Sequence, residues 1–176
     1  MSLETTVENQ MKKNQSLVEK IGLYIPIYRG YREKNLRRDE DRAVRTEVSR
    51  VLERAKLDLA TVQRATVNDL DLMRDTERIR SKIDKYYIDV KKAVNGYSAF
   101  HTSVKILEPE LDALISWDAK LIDDAVLLKE ETAALVKAID NKTNDLKSLL
   151  RELEITADRL IEDYNGRESV MRGFQE

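Results

Sequence analysis

The chain has 176 residues, 36% of them charged and 41% apolar, with five Gly, two Pro and no Cys. So few breakers among so many charges exclude sandwiches, barrels and doubly wound sheets, which need frequent turns, and the lack of Cys excludes a disulfide framework or a thiolate zinc site. A net charge of −2 excludes a polycation that coats nucleic acid, although residues 1–97 carry a net +5 and residues 98–176 a net −7.

In chain order, Ser2–Ile21 reads as a weakly amphipathic helix with Leu3, Val7, Leu17, Val18 and Ile21 as its apolar positions. Met1–Gln10 lacks the basic and apolar regions of a signal peptide, and no apolar run approaches the ~20 residues of a membrane span. The expected compartment is therefore the cytoplasm. Gly22, Pro26 and Gly30 then predict an extended linker or sharp kink over Gly22–Tyr31, because Pro removes a backbone donor and biases the residue before it away from helix. Within Leu17–Tyr31, nine of fifteen residues are aliphatic or aromatic. Tyrosines beside basic side chains suit a membrane interface, and an arm packed onto the helices behind it accounts for the same residues. Leu17, Ile21, Leu23, Tyr24, Ile25, Ile27, Tyr28 and Tyr31 are thus candidate docking or membrane-interface residues. Arg29, Arg32, Lys34, Arg37 and Arg38 form a candidate anion patch for lipid or nucleic-acid phosphates. The acids after them, Asp39, Glu40 and Asp41, read equally as a solvated, salt-bridged helix start.

From about Arg32 to Leu107, alternating steps of three and four from Val44 to Leu107 give sixteen apolar residues in nineteen. That period of 3.5 marks the seam of a coiled coil or bundle. The exceptions are Asp58, Asp69 and Thr76, and Asn68 or Asp69 would cap a new helix, so a turn near Thr66–Asp69 is one reading. Asn95-Gly96 is a turn signal, but the register continues through Tyr97, Phe100, Val104 and Leu107, which predicts an uninterrupted helix there. Pro109 between Glu108 and Glu110 opens the next helix. This helix is expected to reach about Tyr164 and stop at Asn165-Gly166. Its rows are Leu111, Asp118, Ala125, Thr132, Ile139, Leu146, Leu153, Leu160 and Leu114, Leu121, Leu128, Leu135, Lys142, Leu149, Thr156, Asp163. Asp140–Asp145 is its weakest stretch, open to a kink or break, and Gly166–Glu176 reads as a flexible tail.

These elements predict an all-α, elongated antiparallel bundle of three long helices over residues 32–165, or alternatively a two-helix coiled-coil hairpin. Residues 1–31 are its amphipathic arm and linker, and residues 166–176 its tail.

Chemistry is sparse. His101 is the one histidine, and no Glu precedes it by three residues, so a ferritin-type di-iron site is not encoded. No phosphate loop or dinucleotide fingerprint occurs. Asp140–Asp145 has Lys at its third position and no Gly at its sixth, unlike a calcium loop. These patterns predict a non-enzymatic protein with no cofactor, no metal and no small-molecule substrate.

The stretch Ile25-Pro26, Tyr28, Gly30-Tyr31, Lys34, Arg37-Arg38, Asp41 resembles a signature of small helical prokaryotic proteins of uncharacterised role. The resemblance covers residues 25–41 and implies a prokaryotic cytoplasmic protein. The general plan also looks like that of the phage-shock and ESCRT-III membrane-remodelling families, as an analogy of architecture alone. The expected function is a helical structural or protein-interaction protein that self-associates through its seam or binds a helical partner. The alternative is a peripheral binder of anionic membrane surfaces through its amino-terminal arm.

Overall fold

A computed structural model describes residues 3–96, 100 and 106–174, with backbone alone for 94–96. The described residues hold five α-helices and no strand: α1 Leu3–Gly22, α2 Arg37–Ala65, α3 Leu70–Gly96, α4 Glu108–Asp140 and α5 Leu146–Gly173. A single 3-10 turn, Lys34–Leu36, leads into α2. The helix α2 packs on α3 and α4, α4 on α5, and α3 on α5, so four long helices close a ring around one core. The amino-terminal helix α1 lies outside the ring, against α4.

All-α character is as the composition dictates. Four long helices, not the three expected, follow residue 32, because Thr66–Asp69 and Asp140–Asp145 are both real turns. At the first, Asp69 Oδ1 accepts from the backbone N–H groups of Asp71 and Leu72, both at 3.1 Å, which caps α3 as an aspartate should. Thr66 closes α2 by donating its N–H and hydroxyl to the Val62 carbonyl. At the second, Lys142 adopts φ 52°, and Thr143 turns back to donate to the Ala138 carbonyl at 3.0 Å. Polar Asp140–Asp145 therefore reverses the chain between α4 and α5.

Two further expectations are corrected. The helix α3 is described as far as Gly96, and Phe100 and Ile106-Leu107 are not helical, so the helix expected to run through Asn95-Gly96 to Leu107 is interrupted. Tyr97, His101 and Val104 lie outside the described residues. Conversely, Asn165-Gly166 does not end α5, which continues to Gly173 and buries Arg167, Met171 and Phe174. What the expectation took as the start of a flexible tail is packed helix. Gly166 serves a contact: a Cβ there would lie 2.6 Å from the Trp117 ring. The glycine lets the indole of α4 lie against the α5 backbone.

The seam itself is where the period of 3.5 puts it. Val44, Val48, Val51, Ala55 and Val62 of α2 face Ile79, Ile83 and Val90 of α3 and Leu114, Leu121, Leu128 and Leu135 of α4 in the core. Burial of these side chains, at roughly 25 cal/mol per Å², holds the ring together within one chain.

Candidate functional site

The arm expected over residues 17–31 divides into buried and exposed faces. Lys20 forms an ion pair with Asp123 at 2.5 Å, and the Asn14 side-chain amide donates to Asp112 at 2.5 Å. These numbers rise together, so α1 runs parallel to α4 and meets it near its middle at Lys20. The chain then returns along the α2–α4 side toward the start of α2. Pro26 leaves the backbone with one donor fewer, and Gly30 takes φ 70°. A Cβ on Gly30 would meet Val18 at 2.8 Å and Ile115 at 3.2 Å, so this turn needs glycine for both conformation and space.

Ile21, Ile25, Tyr28 and Tyr31 are buried in the core, and Leu17 is half-buried. These four buried residues are not available to a membrane, which corrects the reading of them as interface anchors. Leu23, Tyr24 and Ile27 form the exposed crest of the turn. The candidate anion patch is also divided. Arg29, Arg32, Lys34 and Arg38 are exposed, whereas Arg37 is buried and donates through Nε to the Tyr31 carbonyl at 2.8 Å. The Arg29 guanidinium is folded onto the carbonyls of Pro26 and Tyr28 at 2.8 and 2.9 Å.

Beneath this turn lies a cluster of charges that sequence reasoning missed. Arg167 of α5 is fully buried. Its Nε donates to Asp118 Oδ1 at 2.5 Å, and its Nη2 contacts Asp41 at 2.8 Å and donates to the Tyr31 hydroxyl at 3.0 Å. The Tyr28 and Tyr31 hydroxyls both donate to Asp118 Oδ2, at 2.6 and 2.5 Å. Arg45 of α2, also fully buried, donates to Asp41 one turn earlier and to the Tyr164 hydroxyl at 2.7 Å, and pairs with Glu168 at 2.8 Å. Glu40 accepts the backbone N–H groups of Arg29 and Tyr31, which fastens the turn to α2. Tyr31 itself has φ 63°, strained for a bulky residue and held by this set of bonds.

The electrostatics follow from burial. Burial, reinforced by Asp118, raises the pKa of Tyr28 and Tyr31 well above the ordinary tyrosine value, so both remain neutral donors. Burial also pushes Tyr164 up to about 12, with Arg45 opposing. For Arg167, burial acts to lower the pKa, yet Asp118, Tyr31 and Asp41 hold it well above its ordinary value. The arginines stay charged and the tyrosines stay protonated through the physiological range. The cluster is thus a permanent electrostatic tie between the turn, α2, α4 and α5.

A sequence signal existed for one member. Asp118 stands in the seam row between Leu111 and Ala125, and a carboxylate at a core position demands a buried partner. Arg167 sits one residue past a dipeptide read as a helix stop, which hid it.

Besides this crest, two further apolar surfaces among the described residues bear on association. The first is a groove between α2 and α4, below Tyr24, floored by Val51, Ile122, Ala125, Ala133 and Val136. Its rims carry both signs, with Arg50 and Lys129 against Glu47 and Glu130. No residue of the buried cluster lines it. The second is the outer half of α1. All residues from Leu3 to Lys13 are exposed, because Asn14 already stands opposite the second turn of α4. Among the described residues there is no group of three or more acids or histidines placed to hold a metal ion, and no helix long and apolar enough to cross a membrane. Comparison with family models, with curated proteins and with solved structures finds no match to this chain.

Proposed function

We propose that this chain is a non-enzymatic helical interaction protein that self-associates. One observation carries the reading: the apolar line Leu3, Val7 and Met11 of α1 is 87%, 57% and 67% exposed. Apolar side chains in line on a helix are normally covered, and this line runs off the end of α4. The 3.5-period seam lies in the core of the single chain, so association runs through this line instead. Light scattering on a size-exclusion column tests the reading. A mass that rises with concentration above the 20.4 kDa of one chain is expected. A mass fixed at one chain from low micromolar to near millimolar removes self-association.

The membrane reading keeps one favourable observation, the exposed crest of Leu23, Tyr24 and Ile27 beside exposed Arg29 and Arg32. Removing residues 1–31 is no test of it, because Tyr28 and Tyr31 hold the core. The triple change Leu23→Ser, Tyr24→Ser, Ile27→Ser leaves buried residues intact. Full chain that stays in the supernatant with anionic vesicles at low salt ends this reading. Pelleting that the triple change abolishes supports it.

A further inference from the structure

The helix α1 has two unlike halves on one continuous face. From Asn14 onward, the face made by Asn14, Val18 and Ile21 lies against the body of the molecule. Stepping back by three and four residues, the same face continues as Met11, Val7 and Leu3, and all three are exposed. A segment of eleven residues is about 16 Å of helix, and isolated helices this short are marginal in water. An apolar face on such a segment is therefore one that another surface completes.

The charges on this half say which surface. Glu4 and Glu8 occupy its first two turns, and Lys12 and Lys13 its third. Laid parallel, two copies of the segment would set like charge beside like. Laid antiparallel about a two-fold axis near Glu8, each copy brings Glu4 alongside the other's Lys12, so the complementarity occurs twice. The α2–α4 groove, whose rims mix both signs, offers no such preference, and an anionic membrane repels the two glutamates that flank Leu3 and Val7.

We infer that the outer half of α1 pairs antiparallel with the same segment of a second copy of this chain, making a two-fold dimer closed by Leu3, Val7 and Met11 and oriented by Glu4 of each copy against Lys12 of the other. The inference rests on the self-association reading and specifies its surface. Two three-turn segments bury less than the roughly 1,000 Å² of a stable interface. The dimer is accordingly weak, concentration-dependent and loosened by salt.

The test is sedimentation equilibrium on the full chain and three variants, all altered at exposed positions only, with thermal melts to verify the fold. Wild type is expected to shift from one chain to two as concentration rises. Val7→Glu with Met11→Glu should weaken this by about tenfold or more, given the apolar burial removed. Lys12→Glu with Lys13→Glu, and separately Glu4→Lys with Glu8→Lys, should each weaken it alone, and an equimolar mixture of these two variants should restore it. A wild type that stays a single chain at every concentration overturns both this inference and the self-association reading. A wild type that dimerises while Val7→Glu, Met11→Glu dimerises equally leaves the reading standing and overturns the inference. Charge variants that do not associate better mixed than apart overturn the antiparallel arrangement.

Discussion

The two ends of the bundle are made from the same four helices but bury different chemistry. Toward the Asp140–Asp145 turn the core is aliphatic, with Leu59, Val62, Leu135, Leu150 and Leu153. The buried hydroxyls there, Thr76, Thr132 and Thr156, each donate to a nearby acceptor at 2.7–3.0 Å. Toward α1 the core is crossed by Asp41, Arg45, Asp118 and Arg167 and roofed by aromatic rings, Tyr31 stacking on Phe100 and Phe100 lying tilted against Phe174. Leucine rows at a period of seven fit one another at more than one offset, so an aliphatic core fixes stability better than register. A buried ion pair contributes little net stability over an apolar pair of similar shape, but Asp118 can meet Arg167 in one alignment only. This molecule separates the two tasks in space: cohesion at one end, alignment at the other.

Arg167→Met should disturb the aligned end most. It leaves Asp118 buried without its cation and Asp41 with Arg45 alone, and loss of one partner of a buried pair costs about 3–5 kcal/mol. Chemical denaturation read by circular dichroism should show this loss, and a value near zero would mean that water reaches the cluster. Leu135→Ala at the aliphatic end should cost about 2–5 kcal/mol through the cavity it leaves. It should do so without loosening α5 from α4 near Arg167, which hydrogen exchange resolves residue by residue. The smallest effect probes the boundary between the two ends. Burial, with Asp163 adjacent and Arg159 opposing, raises the Asp124 carboxyl to about 7. The folded state therefore holds this proton more firmly than the unfolded chain. The stabilisation is present below about pH 4 and is lost as pH rises to about 7. Relative to Asp124→Asn, wild type should lose stability over that window and run parallel outside it. Equal slopes for the two proteins would show that Asp124 is fully solvated.

Much of the fold is legible because helical periodicity is a local property. The seam rows of α2, α4 and α5 can be read off the chain, as can the cap at Asp69 and the first turn of α4 at Pro109. The two Asn-Gly dipeptides show where legibility ends. Asn95-Gly96 coincides with the end of α3, whereas Asn165-Gly166 lies in mid-helix, the reverse of what their registers predict. The second glycine is explained by Trp117, which is 49 residues away in sequence. No local pattern carries that contact. The candidate arm was legible as an apolar segment but not as a divided one. Whether Tyr28 faces water or core depends on where Asp118 and Arg167 stand, and those positions emerge only when α4 and α5 pair.

The packing of Trp117 on Gly166 has a practical consequence. It is the chain's one tryptophan, half-buried, with Lys120 Nζ 4.2 Å from its ring centroid, and it touches α5 one residue before Arg167. Its fluorescence is thus a built-in optical gauge of whether the last turns of α5 are seated. An emission shift that precedes loss of the helical signal would time the release of the aligned end separately from the melting of the cohesive one, with no label added.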